Sequence, residues 1–139
     1  MIVEATWNPE ARAITSRLSG TVTATGVAQW IAQLDAALAA VPLGTELVLL
    51  DDQVGYEPAD GKVYEMVNAV LPEALARHGF RSVLAGDLPL AEDPPATFSK
   101  VAHVHHDVAR MAAFEARLGN ARERFFSDAA PACAWLIFD

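Results

Sequence analysis

The hydrophobic positions of the first forty residues predict a β-hairpin followed by a helix. Apolar and polar residues alternate over Ile2–Trp7 and Ala11–Leu18, which is the period of strands with one solvent-facing side. Over Thr23–Val41 the apolar residues recur every three or four positions, as in an amphipathic helix. Pro42 and Gly44 are expected to end this helix.

The middle of the chain contains short apolar runs that predict strands buried on both faces. Leu47–Leu50 and Ser82–Ala85 lack polar alternation, a pattern typical of central strands in a parallel sheet. Between them we expect a loop over Gln53–Ala59 and a helix that ends near His78. Pro72 removes one helical hydrogen bond, so a kink or a break is expected there.

The last third of the chain predicts a long helix, a strand and a final helix. Apolar residues spaced by three and four predict one helix from about Thr97 to Leu118, although residues 101–104 alone could form a strand. Arg122–Phe126 alternates like a strand. Ser127 or Asp128 is suited to cap the last helix.

This order of elements predicts an α/β fold. The expected architecture is a five-stranded, mostly parallel sheet with an N-terminal β-hairpin and four helices mainly on one face, in a single domain over residues 1–139. Successive crossovers of one hand place their helices on the same face of the sheet. The opposite face would then be uncovered, so we hypothesise a homodimer through that face.

Composition and charge narrow the classes of partner. Apolar residues make up 53% of the chain, which excludes wholesale disorder. With 18 acidic and 10 basic residues the net charge is −8, which argues against binding to nucleic acid or to anionic membranes. No apolar run is long enough to span a bilayer. The single cysteine, Cys133, forms no internal disulfide and favours a cytoplasmic location.

Five stretches of sequence form a pattern that extends over nearly the whole chain. They are Leu18–Thr23, Leu47–Asp52, Phe80–Asp87, Arg124–Asp128 and the positions Ala132, Ala134, Trp135 and Leu136. This pattern resembles the STAS/SpoIIAA-like domain family, which has the anti-sigma-factor-antagonist fold and is related to CRAL-TRIO lipid-binding domains. The resemblance implies a SpoIIAA-like fold and a non-catalytic module that binds a partner protein or an apolar small molecule, without a cofactor.

Residues 51–60 depart from the signalling members of that family. Those members carry a phosphorylatable Ser or Thr after the third strand, at the start of the next helix, whereas residues 51–60 contain neither. Asp51, Asp52 and Glu57 would also repel an incoming phosphate. We therefore expect no phosphorylation switch.

The same region contains the candidate ligand-binding residues. Asp51 and Asp52 follow a central strand, and open α/β sheets bind ligands at the carboxyl ends of their strands. Tyr56 and Tyr64 flank the adjoining loop and could close a pocket between the second and third helices and the sheet. Alternatively, the carboxylates cap loop turns and the tyrosines only pack.

A histidine cluster offers an alternative function of another class. If residues 97–118 are helical, His103 and His106 share a face and Asp107 lies one turn from His103. Two imidazoles and a carboxylate suit Zn or Fe, so the alternative is a metal-dependent enzyme. A solvent-facing polar stripe would explain the same residues without a metal. The sequence contains no nucleophile elbow, Walker loop or dinucleotide-binding motif.

Overall fold

The structure, a computed structural model, describes residues 1–138, which form a six-stranded sheet and four helices. The strands of the main sheet lie in the order β1-β2-β3-β5-β6, and β4 pairs with the end of β2. The hairpin β1–β2 is antiparallel and the other pairs are parallel, which confirms the predicted fold class. In chain order the elements are β1 (Ile2–Asn8), β2 (Ala13–Val22), α1 (Ala24–Ala39), β3 (Glu46–Asp52), β4 (Tyr56–Pro58), α2 (Gly61–Arg77), β5 (Thr97–Val104), α3 (Val108–Leu118), β6 (Glu123–Phe126) and α4 (Ala129–Phe138).

Local side chains define the ends of α1 and α2. The Thr23 hydroxyl accepts a hydrogen bond from the Gly26 N–H at 3.2 Å, and the Asp60 carboxylate accepts one from the Val63 N–H at 2.9 Å. Each bond satisfies a backbone donor that the first helical turn leaves free. Gly79 follows α2 with φ +74°, a left-handed conformation that ends a helix at little cost only for glycine.

Pro72 lies inside α2 without ending it. The helix continues to Arg77, so of the expected kink or break the break is wrong. Pro72 is buried, and Leu71, Ala74 and Leu75 around it are buried as well. Packing of this apolar face against the core offsets the one backbone hydrogen bond that proline cannot make.

Two apolar layers cover the two faces of the sheet. On one face Leu47 and Leu49 of β3 share a buried cluster with Trp30 of α1. On the other face Val48 and Leu50 pack against a second cluster that contains Trp135 of α4. The helices are therefore mainly on one face, as predicted, but α4 covers part of the face that was expected to be bare.

Residues 97–118 are not one helix, because Thr97–Val104 forms the strand β5. The sheet register shifts at this strand: Phe98 pairs with Leu47, and Val101 pairs with Leu49. One extra residue in β5 therefore lets Phe98 and Val101, three positions apart, face the same layer. The bulge accounts for the spacing of Phe98 and Val101, whereas Val104 belongs to the opposite layer and only Val108–Leu118 (α3) is helical.

The predicted strand Ser82–Ala85 is also wrong. These residues belong to the connection of residues 78–96, which contains no helix or strand in the described chain. The position beside β3 that this strand would have taken belongs to β5. A short apolar run does not by its pattern distinguish a strand from a loop, and of these four residues only Ser82 is buried. The Glu123 side chain holds this part of the chain in place of strand pairing.

Candidate ligand-binding site

Three ionisable side chains meet where β3, β5 and β6 lie side by side. Asp51 is the inward-facing residue near the end of β3, and His103 is its register partner on β5. On β6, Phe125 lies opposite His103, and Glu123 lies two residues earlier on the same face. The parallel register thus places one carboxylate on each side of the imidazole, and we call Asp51, His103 and Glu123 the charged cluster.

The geometry of the charged cluster indicates an imidazolium between two carboxylates. His103 Nδ1 lies 2.7 Å from Asp51 Oδ2, and His103 Nε2 lies 2.6 Å from Glu123 Oε2. The exposed fractions of Asp51, His103 and Glu123 are 4%, 7% and 1%. A ring nitrogen donates a hydrogen bond only when it carries a proton, and two ionised acceptors call for two protonated nitrogens.

The pKa shifts agree with this charge state. Burial lowers the pKa of His103, but the hydrogen bonds and charges of Asp51 and Glu123 outweigh burial and raise it to about 9. Burial by itself would raise the pKa of Glu123, but His103 and the donors Val83 and Ser82 hold it below its usual range. The charged cluster therefore carries a net negative charge at neutral pH.

Glu123 also anchors the connection of residues 78–96. The Ser82 hydroxyl donates to Glu123 Oε2 at 2.7 Å, and the Val83 N–H donates to Glu123 Oε1 at 2.8 Å. The next residue, Leu84, lines a cavity above the charged cluster. One buried carboxylate therefore joins His103 to the loop at the cavity wall.

A cavity of about 240 Å³ lies between α2, α3 and the sheet. This volume corresponds to about eight water molecules, at about 30 Å³ each. The floor includes the His103 ring, which stacks on Phe125 with 4.8 Å between ring centroids. The side walls are mostly apolar and comprise Val67, Leu71, Pro72, Leu84, Met111 and Phe114. Besides His103, the polar lining residues are Asp51, Gln53, Tyr64, Asn68, His105 and Arg110.

Arg110 provides a positive charge at the cavity rim. Its Nη2 lies 3.4 Å from the Tyr64 hydroxyl, and its guanidinium carbon lies 5.3 Å from the centre of the Phe114 ring. Within residues 1–138 no carboxylate forms an ion pair with Arg110. The hydrogen bond to Asn68 lowers the pKa of Tyr64, and Arg110 lowers it further although burial opposes both.

The predicted ligand-binding residues occupy different positions. Asp51 and Tyr64 line the cavity. The Asp52 carboxylate accepts a hydrogen bond from the Val54 N–H at 3.0 Å and so caps the turn after β3. Tyr56 is buried in β4 outside the cavity lining, and burial and then Tyr64 raise its pKa to about 12. Two of the four residues are thus brought to one cavity, and the other two are not.

The residues of the metal hypothesis do not share a helix face. His103 is buried on β5, whereas His106 and Asp107 are exposed beyond it. His106 Nδ1 accepts a hydrogen bond from the Gly55 N–H, and Asp107 caps α3 by accepting from the Arg110 N–H. In the described part of the chain no three His, Cys, Asp or Glu side chains form a group that could hold a metal ion. The helical spacing on which the hypothesis rested is therefore absent.

Sequence reasoning missed Glu123, Ser82 and Arg110 as site residues. Glu123 and Phe125 alternate on one predicted strand, so both face the same way. A carboxylate on the buried face of a strand needs a positively charged or hydrogen-bond-donating partner. The local alternation of residues therefore indicates that Glu123 has such a partner. Nothing local identifies that partner as His103, because the two residues meet only through the pairing of β5 with β6.

Comparison with known proteins identifies the fold. No protein-family model matches the sequence, and no curated protein matches it. The structure is similar to the crystal structure of an uncharacterized protein of the DUF3478 family with a SpoIIAA-like fold, from Shewanella loihica PV-4. The TM-score is 0.56 at 16% sequence identity, over 97% of this chain and 92% of that chain. The protein thus has a STAS/SpoIIAA-like fold, as the resemblance implied.

Within residues 1–138, no helix combines the length and the apolar character needed to cross a membrane.

Proposed function

We propose that this chain is a single-domain, non-catalytic module that binds a small, largely apolar molecule in the cavity between α2, α3 and the sheet. The observation that carries the proposal is the cavity itself, which combines apolar walls with a few polar groups. It lies near the carboxyl ends of β3 and β5, where open α/β sheets commonly bind ligands. The family resemblance, which includes lipid-binding relatives, supports the same class of function.

The bonding of the polar groups near the cavity favours binding over catalysis. Both ring nitrogens of His103 are bonded to carboxylates, and its raised pKa keeps it protonated, so it is a poor general base. The Ser82 hydroxyl is buried and donates to Glu123, which leaves it no path to a substrate. The acid–base groups Asp51, His103 and Glu123 are therefore hydrogen-bonded to one another instead of being available to a substrate.

A titration with 1-hexanol, a neutral probe of suitable size, tests this proposal. We expect millimolar 1-hexanol to shift the amide and methyl NMR signals of Val67, Leu71 and Met111, because these residues line the cavity. Val67→Phe is expected to abolish the shifts by filling the cavity. Val70→Phe is the matched control, because Val70 lies on the same helix but does not line the cavity.

The positions of the residues whose NMR signals shift distinguish the possible outcomes. Shifts confined to the cavity that are lost in Val67→Phe but kept in Val70→Phe support the proposal. Shifts scattered over the surface, or equal binding by both variants, contradict it. Thermal melting of each variant checks that it folds, since an added ring in a packed region costs about 1–3 kcal/mol.

A further inference from the structure

We infer that the ligand of this cavity is a small carboxylic acid whose carboxylate pairs with Arg110 at the rim while its apolar body lies inside. The inference rests on the proposed function and adds the chemical class of the ligand. It is carried by the arrangement of charge around the cavity, which differs between the rim and the floor.

Arg110 is the positive group that the cavity offers to a ligand. Of the eight arginines, Arg77 and Arg124 pair with Asp35 and Glu115 within residues 1–138, and Arg110 is the arginine that lines the cavity. Arg110 pairs with no carboxylate of residues 1–138 although its helix begins directly after Asp107. Its guanidinium lies over the Phe114 ring, which leaves donors free for an incoming anion.

Further donors lie at the same rim. The Tyr64 oxygen accepts a hydrogen bond from Arg110, so its own hydroxyl proton is available to a ligand oxygen. The His105 Nδ1 accepts from the Asp107 N–H, which places the proton of the neutral ring on Nε2. A carboxylate has two oxygens with several acceptor positions, so it can use more than one of these donors.

The floor of the cavity excludes the opposite orientation. Asp51 already accepts hydrogen bonds from His103 and Gln53, and the charged cluster of which it is part is net negative. A ligand carboxylate at the floor would meet this negative charge in a buried setting. An apolar body instead meets the Phe125 ring and the side walls from α2 and α3.

Three probes of six carbons each test the inference by calorimetry: hexanoate, 1-hexanol and hexylamine. We expect hexanoate to bind about tenfold more tightly than 1-hexanol, the effect of one charge-assisted contact at a partly exposed rim. The net charge of −8 favours hexylamine at long range, so a preference for hexanoate has to come from the rim.

Substitutions at two arginines of α3 identify the group responsible. Arg110→Met is expected to remove the preference for hexanoate, and Arg110→Lys to retain part of it. Arg117→Met is the matched control, because Arg117 also lies over the Phe114 ring, at 5.5 Å, but does not line the cavity. Arg110 is exposed, so its variants are expected to fold, which circular dichroism would check.

The outcomes distinguish this inference from the function on which it rests. If 1-hexanol binds in the cavity and hexanoate binds no better, the carboxylic acid class is overturned while the binding function stands. Tighter binding of hexylamine, or a hexanoate preference that survives Arg110→Met, also overturns the inference. If none of the three probes binds, the inference and the proposed function both fail.

Discussion

At the scale of single residues, the charged cluster depends on the presence of all three of its members. Transfer of an ion pair from water to the interior is costly, and the attraction between the charges compensates only when the geometry is good. His103 meets that condition because each ring nitrogen has its own carboxylate at 2.6–2.7 Å. Loss of one member would leave the others as buried charges without compensation.

The raised pKa of His103 predicts how the free energy of unfolding depends on pH. Its folded-state pKa is about 9, against about 6.5 for an unfolded chain, so the stabilisation is complete below about pH 6.5. It is lost as the pH rises through 9, and the loss is on the order of 3 kcal/mol. Urea unfolding of the wild type from pH 6 to pH 9.5 would measure this decline.

His103→Gln serves as the reference for that measurement. We expect it to cost about 3–5 kcal/mol at pH 6, because two carboxylates remain buried without a cation. It should also lack the decline between pH 6.5 and 9. His106→Gln, at an exposed position, should change stability by about 0.5 kcal/mol or less and keep the wild-type pH profile. Parallel pH profiles for wild type and His103→Gln would contradict the assignment.

Glu123 has the opposite linkage to pH. Its folded-state pKa is lowered, so its contribution is complete above its ordinary value of about 4.5 and is lost as the pH falls through the folded pKa. His103 and Glu123 together therefore stabilise the fold most between about pH 5 and 6.5.

At the scale of elements, the connection of residues 78–96 depends on the sheet for its conformation. It contains no helix or strand in the described chain, and its hydrogen bonds to Glu123 replace the strand pairing that it lacks. The Ser82 hydroxyl also accepts from the Leu84 N–H at 3.2 Å. Ser82 thus bridges the buried carboxylate and the loop residue that lines the cavity.

We expect Ser82→Ala to loosen this loop while the sheet remains intact. It removes a hydrogen bond to a buried carboxylate, at a cost of about 1.5–3 kcal/mol. Hydrogen exchange of residues 82–90 should accelerate more than that of β3 or β5. Ser99→Ala is the control, because Ser99 makes one longer hydroxyl contact, 3.3 Å to the Leu47 carbonyl. Equal protection of the loop in both variants would contradict the role given to Ser82.

At the scale of the whole molecule, α4 changes the argument for a homodimer. The hypothesis assumed a bare sheet face, but Trp135 and its neighbours in α4 pack over β3, β5 and β6 on that face. On the remaining part, Glu4 and Thr6 of β1 and Arg17 of β2 are exposed and polar. Little apolar area is therefore left for a second copy to cover.

We accordingly expect the wild-type chain to sediment as a monomer of 14.9 kDa at micromolar concentration. Trp135→Ala should promote association, because it uncovers the apolar residues of β3 and β5 beneath the helix. Glu4→Ala is the control, since it changes the same face where the surface is polar. A stable wild-type dimer at these concentrations would contradict this expectation.

Much of the fold could be predicted from the sequence because many of its elements are specified locally. The hairpin, α1 and β3 follow from alternation, helical spacing and capping residues that act within a few positions. Of the five predicted strands four are present, the strand predicted at Ser82–Ala85 is replaced by β5, and β4, inside the predicted loop, makes the sheet six-stranded. The family resemblance added the SpoIIAA-like topology.

The candidate site was only partly predictable. The place of Asp51 after a buried strand and of Tyr64 beside the following loop predicts both as ligand-binding residues, and both line the cavity. Glu123 and Arg110 take their roles from elements that are distant in the sequence. The spacing of His103 predicts a helix face, whereas His103 lies on the strand β5.

By itself, then, the sequence determined which stretches bury apolar side chains, where α1 and α2 begin, and that the sheet is mostly parallel. Only the tertiary structure decided that Thr97–Val104 is a strand and that α4 crosses to the second face. Only it decided that Asp51, His103 and Glu123 form one cluster. The physical reason is range: caps and periodicity act over a few residues, whereas a bulge or a buried ion cluster is set by the neighbouring strand.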